Sequence, residues 1–250
     1  MKEILDSFFK NDDLVVKYFE TIDSTNDEAK RIFYGGDSNK YLLVASNQTK
    51  GRGRNGHSFY SPSDAGIYFS FLIPTTKEIK DIVYMTTSAA VAVAMALRDV
   101  LLVDAGIKWI NDIYITGKKA CGILCEVADK GEGVHGLIIG IGINMGQADF
   151  PEEIKDIAIS VGDIDNEKKA ELLHAISDNI SKYLDARNKL KMMEDYRNLS
   201  LVIGKEIAYI INGERYTGIA AAIDDEGGLI VDNNGEKTVL NSGEISVRLI

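Results

Sequence analysis

Apolar residues in the first 200 positions follow two different periods, and each period predicts one kind of element. Short apolar runs and alternating patterns predict strands at 14–20, 41–46, 66–73, two within 108–127, and 136–144. In the third of these, alternation places four apolar side chains on one face: Ile67, Phe69, Phe71 and Ile73. The two strands within 108–127 are separated by a tight turn at 116–118.

Three segments have the features of helices. The first follows the capping residues Asp23–Asn26 and ends at Gly35-Gly36, a strong stop signal. The second, 86–103, opens with Thr and Ser caps and is Ala-rich and hydrophobic on nearly every side, which indicates packing against a sheet. The third, 171–190, carries leucine, isoleucine and tyrosine at helical spacing.

The pattern changes near Ser200. From there onward, short strands alternate with turn signals every 8 to 12 residues, and no helical period is found. This pattern predicts a small β-barrel that docks on the larger domain, because a module of about 50 residues is marginally stable alone. We therefore predict two domains, 1–200 and 201–250, of class α+β followed by all-β.

Composition restricts the classes of function. The 250 residues include 28 Lys+Arg and 38 Asp+Glu, a net charge of −10, with 45% hydrophobic residues. Such a chain is globular rather than disordered. Its acidity argues against general binding to DNA or to anionic membranes, both of which require excess cations. Any anionic ligand must therefore be held by a local cluster of cations.

Cysteine usage and the amino terminus indicate a reduced, cytoplasmic protein. Cys121 and Cys125 are too few for a disulfide framework, and four residues along a strand separate them by about 13 Å, too far to bridge. No histidine spacing predicts a metal site. Acidic residues in 1–13 exclude a signal peptide, and the apolar stretch 89–97 is too short to cross a membrane.

The segment Gln48–Gly56 is the most informative. It interleaves three cations with three glycines: Lys50, Gly51, Arg52, Gly53, Arg54 and Gly56. Glycine allows backbone N–H groups to approach a ligand, and arginine matches phosphate or carboxylate oxygens, so the pattern predicts a mobile anion-binding loop. The glycines satisfy G-x-G-x-x-G, but a dinucleotide fingerprint opens a helix, and this segment runs into a strand. The alternative is a solvated surface loop.

Two further clusters carry possible chemistry. Lys108–Asp112 either forms a simple turn or lies at a site, together with Lys119. Alternation places Lys119, Cys121 and Ile123 on one face, where the ammonium either reaches the rim or binds an anion. In Gly140–Asn144, glycines within a strand indicate close approach of another group, and the terminal asparagine offers a donor and an acceptor; alone, this motif is more often structural.

Taken together and in this order, these clusters resemble biotin protein ligases. The matching segments are Asp23-Ser-Thr-Asn26, Gln48 to Gly56 with GRGRxG, Lys108-Trp-x-Asn-Asp112, Lys119-x-x-Gly-Ile-Leu124, Gly140-Ile-Gly-Ile-Asn144 and Gly243-Glu-Ile-Ser-Val-Arg248. The resemblance extends from about residue 15 to 250 and implies a class II synthetase-like catalytic domain, with a mixed sheet and packed helices, at 1–200.

The resemblance implies two half-reactions. The biotin carboxylate attacks the α-phosphate of Mg²⁺–ATP to give biotinyl-5′-AMP and pyrophosphate. A specific lysine of a biotin carboxyl carrier protein, or of a carboxylase acceptor domain, then takes the biotinyl group and releases AMP. The resemblance also makes a homodimer possible. Fixed cations suit this chemistry, because negative charge accumulates at the α-phosphorus.

The resemblance also assigns roles to residues. Those implied to bind biotin are Ser24, Thr25, Asn26, Gln48, Gly51, Arg52, Gly53, Arg54, Lys119 and Gly122. Those implied to bind ATP are Arg52, Arg54, Phe59, Lys108, Asn111, Lys119 and Asn144. The implied catalytic residues are Arg52, Arg54, Lys119 and Asp112, the last orienting the incoming lysine or a cation.

The chain departs from the family pattern at three positions. GRGRxGRxW is replaced by a segment with His57 and Phe59, and KWPND has Ile110 in place of proline. Phe59 can still stack on a ring but lacks the indole N–H, and His57 is a weaker cation than arginine. We expect modest effects on nucleotide affinity; the alternative is a catalytically impaired relative.

Two other functions remain open. A lipoate–protein ligase-like enzyme would share the fold and the acyl-adenylate strategy. A non-catalytic biotin sensor would not need the phosphate-binding cations. Some relatives carry an amino-terminal helix-turn-helix, but only about 13 residues precede the first predicted strand, so we expect no DNA binding.

Overall fold

Seven strands form one mixed sheet in the computed structural model, which describes residues 1–63, 65–76, 82–131, 133–146, 150–211, 213–241 and 246–249. The strands are β1 Val15–Ile22, β2 Tyr41–Gln48, β3 Gly66–Thr75, β4 Gly106–Lys108, β5 Asp112–Ile115, β6 Lys118–Asp129 and β7 His135–Asn144. Their order is β1-β2-β3-β7-β6-β5-β4, with β1 and β2 parallel and the other pairs antiparallel. The mixed sheet expected from the resemblance is confirmed.

Helices pack against this sheet and on one another. They are α1 Lys2–Phe8, α2 Thr25–Tyr34, α3 Ile82–Leu101, α4 Asn166–Tyr183 and α5 Lys189–Leu199. Helix α2 begins and ends as predicted: the side chain of Ser24 caps it by accepting from the backbone N–H of Asp27. No helix was predicted in the acidic amino-terminal segment. The structure has α1 there, anchored by the buried side chains of Leu5 and Phe9.

Three helix boundaries predicted from the sequence are wrong. Helix α4 begins at Asn166 and not at 171, because the Asp165 side chain caps it by accepting from the backbone N–H of Lys168. Helix α3 begins at Ile82, so the threonines near 86 are inside it, and the Thr87 hydroxyl contacts the carbonyls of Val83 and Tyr84 instead of capping a first turn. The third predicted helix does not continue to residue 190. It ends at Tyr183, and α5 follows as a separate helix because a new set of buried side chains, including Met193, faces the core.

Helix α3 is the central element of the core. Its 89–97 stretch is buried apart from Met95, and the helix packs against α4, α5 and β6. The part at 83–101 has the length and apolar composition of a membrane span, longer than the sequence pattern had indicated. A buried core helix meets the same criteria, and these contacts account for its composition.

The carboxy-terminal segment forms a second, antiparallel sheet. Its strands are β8 Glu206–Ile211, β9 Glu214–Ile223, β10 Leu229–Asn233, β11 Glu236–Leu240 and β12 Ser246–Leu249. The predicted all-β module is confirmed. In the order β11-β10-β9-β8-β12 the described strands make an open sheet rather than a closed barrel. Residues 243–245 of the predicted carboxy-terminal motif lie outside the described residues.

The small sheet docks on the large domain next to the turn between β4 and β5. The indole N–H of Trp109 donates to the carbonyl of Gly227 at 2.9 Å, and Nε of Arg197 donates to the carbonyl of Ile223 at 2.8 Å. Trp109 is 6% exposed. The β4–β5 turn is therefore held in place by the carboxy-terminal segment.

Candidate functional site

A cavity of about 340 Å³ opens between the amino terminus of α2, the loop after β2, the β4–β5 turn and strands β6 and β7. It is lined by Ser24, Thr25, Asn26, Gln48, Arg52, Gly53, Arg54, His57, Ser58, Phe59, Lys108, Trp109, Asn111, Asp112, Lys119, Gly122, Ile123, Leu124, Gly140, Ile141 and Gly142. Of the residues predicted for the site, the cavity brings together all but Gly51 and Asn144. Distant segments of the sequence therefore converge as expected.

Glycines on β6 and β7 make the floor of the cavity flat. Gly122 and Gly142 are paired across the two strands, and the ring of Phe59 lies on both. A Cβ at Gly142 would lie 2.5 Å from the Phe59 ring, and one at Gly122 would lie 2.9 Å from it. The ring also packs edge-to-face with Tyr68, at 6.3 Å between centroids. The close approach predicted for the β7 glycines is thus made by side chains. Phe59 approaches Gly142, and Asn26 approaches Gly140.

One wall carries uncharged polar groups. The backbone N–H and the hydroxyl of Thr25 both donate to Oε1 of Gln48, at 2.8 and 3.1 Å. These bonds fix the orientation of the Gln48 amide. Its Nε2 lies on the side of Gly51, 3.4 Å from the position of a Cβ there. The amide N–H groups of Gln48 are therefore the end of the side chain directed away from α2.

The loop between β2 and β3 is folded back on itself. The N–H of Gly53 donates to the carbonyl of His57 at 2.7 Å, and the N–H of Phe59 donates to the carbonyl of Gly51 at 3.0 Å. Gly51 does not line the cavity. A Cβ at this position would lie 2.3 Å from Oγ of Ser61, so the glycine allows the two sides of the loop to pack.

The cations of the cavity are paired with acceptors. Arg52 lies 2.6 Å from Asp27 and 3.2 Å from Glu126. Neither acid has a local sequence signal, because each is far along the chain from its partner, and both were missed by the sequence analysis. Nζ of Lys119 lies 2.6 Å from Oδ1 of Asp112.

The remaining cations contact polar and aromatic groups. Arg54 donates to Oδ1 of Asn111 at 3.1 Å, and burial lowers its pKa despite the attraction of Asp112. Nζ of Lys108 lies 3.2 Å from the Tyr114 hydroxyl. The lining thus carries four Lys or Arg side chains and one carboxylate, in a chain whose net charge is −10. This local excess of positive charge favours anionic ligands, although Asp27 and Glu126, outside the lining, offset Arg52.

A β-bulge decides which way Lys119 points. Asp112 pairs with Gly122 and Ile113 with Cys121, but Tyr114 pairs with Lys119, so Ala120 is an extra residue in β6. The predicted shared face of Lys119, Cys121 and Ile123 is therefore wrong. The bulge turns Lys119 to the face of Gly122, whereas Cys121 lies in the core as a free thiol.

The backbone of Lys119 is held on both sides. Its N–H donates to the carbonyl of Ile157 at 2.8 Å, and its carbonyl accepts from the N–H of Ile159 at 2.9 Å. Nδ2 of Asn144 donates to the carbonyls of Lys119 and Ile159, both at 3.2 Å. Asn144 is 6% exposed and contacts the lysine backbone outside the lining. The Asn144 side chain thus supports Lys119.

The β4–β5 turn is anchored from beneath. Nδ2 of Asn111 donates to the carbonyl of Ile123 at 2.6 Å. The hydroxyl of Tyr196, on α5, donates to the carbonyl of Ile110 at 3.0 Å. These bonds place Asn111 and Asp112 opposite the loop that carries Arg54.

Comparison with known proteins identifies the family. Residues 18–144 match the Biotin/lipoate A/B protein ligase family, and residues 202–248 match the Biotin protein ligase C terminal domain. The chain belongs to the biotin protein ligase family. The second match covers the small sheet that docks on the β4–β5 turn.

Individual members of the biotin protein ligase family are similar over most of the chain. The bifunctional ligase/repressor BirA of Bacillus subtilis is 32% identical over 240 residues, which are 92% of this chain and 73% of that protein. The biotin--[acetyl-CoA-carboxylase] ligase of Mycobacterium tuberculosis is 31% identical over 234 residues, 89% and 85% of the two chains. The biotin protein ligase from Aquifex aeolicus in complex with biotin and ATP is 30% identical, with a TM-score of 0.81 over 94% of this chain and 99% of that chain.

Proposed function

We propose that this chain is an ATP-dependent biotin ligase that forms biotinyl-5′-AMP and transfers the biotinyl group to a lysine of an acceptor protein. The observation that carries the proposal is the excess of cations in the cavity, four Lys or Arg against one carboxylate in an acidic chain. Two anions, a carboxylate and a triphosphate, must meet during this reaction, and their repulsion has to be offset locally.

In the first half-reaction, a carboxylate oxygen of biotin bonds to the α-phosphorus of ATP, and the bond to the pyrophosphate oxygen breaks. The polar wall of Ser24, Thr25, Asn26 and Gln48 binds the ureido ring, because it offers directed N–H and O–H groups. Gly53 lines the cavity beside it, and Gly122 makes room for the Phe59 ring. Gly51 contributes through the shape of the loop.

The cations then neutralise the reacting charges. Lys119 contacts Asp112, and Arg54 contacts Asn111. When phosphate oxygens enter, each cation either leaves its protein acceptor for a phosphate oxygen or contacts both. Arg52, Lys108 and Asn111 lie along the triphosphate and nucleoside, with Phe59 as a stacking surface. Asn144 supports Lys119 through its backbone.

In the second half-reaction, the ammonium of the acceptor lysine first loses a proton to solvent, and the neutral amine bonds to the acyl carbon of the adenylate. The bond from that carbon to the phosphate oxygen breaks, AMP leaves, and the new amide nitrogen loses its second proton to solvent. Asp112 is the one carboxylate of the lining and orients the incoming ammonium group. Mg²⁺ enters as part of the ATP substrate. Among the described residues, no group of three His, Cys, Asp or Glu is arranged to hold a metal ion of its own.

The acceptor is a biotin carboxyl carrier protein or a carboxylase acceptor domain, and the reaction takes place in the cytoplasm. We further propose that residues 1–200 form the catalytic domain and 201–250 the carboxy-terminal domain. Its net charge of −10 argues against DNA and anionic membranes as partners.

The test measures both half-reactions. The purified chain is mixed with biotin and Mg²⁺–ATP, and pyrophosphate release is recorded; an acceptor domain is then added, and its labelling is detected with streptavidin. Lipoate replaces biotin in a parallel reaction. We expect pyrophosphate and labelled acceptor with biotin only. Faster turnover of lipoate would assign a lipoate ligase, and biotin binding without pyrophosphate would assign a sensor.

A further inference from the structure

Glu126 joins three elements around the cavity, although no motif singled it out. Its Oε1 lies 2.8 Å from Nζ of Lys30, on α2, and 3.2 Å from Nη2 of Arg52, in the loop. Its Oε2 accepts from Nδ2 of Asn26 at 2.8 Å. Glu126 itself belongs to β6, where it pairs with Ile138 of β7.

This carboxylate stays ionised although it is withdrawn from water. Its side chain is only 19% exposed. Burial raises the pKa of Glu126, but the hydrogen bonds from Lys30 and Asn26 and the charges of Lys30 and Arg52 outweigh burial and hold that pKa below its usual value. An ionised carboxylate accepts hydrogen bonds and cannot donate them.

Glu126 therefore sets the orientation of Asn26. The amide must direct its NH₂ group at the carboxylate, so Oδ1 is left to accept from the hydroxyl of Ser70 at 2.6 Å. Gly140 lies directly behind: a Cβ there would be 2.1 Å from Oδ1. The same Ser70 hydroxyl lies 2.7 Å from Oγ1 of Thr25, a second residue of the polar wall. By fixing the Asn26 amide, Glu126 thus determines which groups of that wall are donors and which are acceptors.

Glu126 also ties the loop to the sheet. Arg52 is 40% exposed and its other acid, Asp27, belongs to α2. Without Glu126, the Arg52 guanidinium would keep only the contact to the helix, and the loop would lose its charged link to β6. A charge-assisted pair that is partly buried holds such a side chain more firmly than an exposed one.

We infer that Glu126 is a positioning residue for the first half-reaction, holding Asn26 and Arg52 against β6 so that the biotin-binding wall and the loop keep their geometry. The inference rests on the proposed function for the identity of the ligand. The arrangement of side chains on which it depends can be tested without any ligand.

The test compares Glu126→Gln with the wild type and with a control, Glu171→Gln, which removes an exposed ion pair to Lys168 on α4. Biotin affinity is measured by isothermal titration calorimetry, and kcat and KM are measured by pyrophosphate release. Limited trypsin cleavage, read by intact mass, reports accessibility of the bonds after Arg52 and Arg54. We expect Glu126→Gln to raise the Kd and KM for biotin about tenfold, change kcat less than threefold, and speed cleavage at these two bonds alone.

A wild-type Kd for biotin in the folded Glu126→Gln protein would overturn the inference. Faster cleavage at all sites, together with unchanged binding by the remaining folded protein, would assign a merely structural role and overturn it as well. If the wild type binds no biotin, the proposed function fails, whereas unchanged cleavage after Arg52 would separately overturn the positioning role.

Glu126→Asp replaces Glu126→Gln if the latter does not fold. Its carboxylate is withdrawn by one methylene, so we expect the same changes in Kd, KM and cleavage. Wild-type affinity for biotin in Glu126→Asp would refute the inference.

Discussion

The hydroxyl of Tyr196 links α5 to the turn that carries Asn111 and Asp112, and Tyr196→Phe removes only that link. Tyr196 and Ile110 are 0% and 1% exposed, and the hydroxyl donates to the Ile110 carbonyl at 3.0 Å. Burial raises the pKa of Tyr196, so the hydroxyl keeps its proton. The ring contacts remain in the variant.

Loss of this hydroxyl leaves the buried carbonyl of Ile110 without its hydrogen-bond donor, which lowers the free energy of unfolding by about 1–3 kcal/mol. Because the carbonyl belongs to the turn, we also expect kcat/KM for adenylate formation to fall about tenfold, which corresponds to about 1.4 kcal/mol. Urea unfolding followed by circular dichroism gives the stability, and pyrophosphate release gives the rate.

Tyr216→Phe is the matched control, since its hydroxyl contacts Glu214 on an exposed surface. We expect it to change stability by less than about 0.5 kcal/mol. If Tyr196→Phe were as stable as this control and retained the wild-type kcat/KM, the anchoring of the turn from α5 would be refuted.

Three further changes have defined outcomes. Lys119→Met removes a cation from the proposed phosphate site, and we expect single-turnover pyrophosphate release to slow by about 10²–10³. Gly142→Ala places a methyl 2.5 Å from the Phe59 ring, which must move; we expect KM for ATP to rise about tenfold in steady-state assays. Asp23 has its pKa lowered from 3.8 to about 2 by Arg31, so its contribution is complete above the unfolded-state value and disappears as pH falls through about 2. Thermal unfolding of Asp23→Asn and wild type should differ at pH 6 and converge toward pH 2.

Each of these three predictions would be contradicted by a specific result. Lys118→Met alters a neighbouring, half-buried lysine that lies outside the cavity lining and donates to the carbonyl of Lys155 at 3.3 Å. It should keep the wild-type rate, and an equal loss in both variants would rule out a specific role for Lys119. A wild-type KM in Gly142→Ala would show that Phe59 does not shape the nucleotide site. A Tm difference for Asp23→Asn that is the same at pH 2 and pH 6 would exclude the ion pair with Arg31 as its source.

Local signals were sufficient wherever the determining contacts are close in sequence. Helix α2 lies between Ser24 and Gly35 as predicted, because a cap and a stop act within one turn of the helix. The β5–β6 turn lies at Thr116-Gly117 as predicted; glycine favours the positive φ of the second residue, whereas Thr116 adopts a positive φ that its residue type does not favour. The cationic, glycine-rich loop, the Lys108–Asp112 segment and the other motifs, taken together and in their order along the chain, carried the resemblance to the family that the comparisons confirm.

Contacts between distant segments decided the rest. An extra residue at Ala120 reverses the face of Lys119, and a bulge arises from pairing with a partner strand, which a period-two pattern does not contain. Asn144 ends its strand as predicted, yet it contacts the Lys119 backbone, because a segment some fifteen residues later folds beside it. The end of α4 at Tyr183 likewise depends on how α5 packs, and helical periodicity alone ran past it.

The amino-acid sequence by itself determined the class of fold, the family and most of the residues that line the cavity. The tertiary structure alone decided how those residues are held: Glu126 reaches Asn26 across 100 positions of the chain, and Trp109 reaches Gly227 across 118. The physical reason is that capping, turn formation and alternation act between neighbours, whereas a buried charge or a buried hydrogen bond takes its partner from whatever the fold brings within about 3 Å.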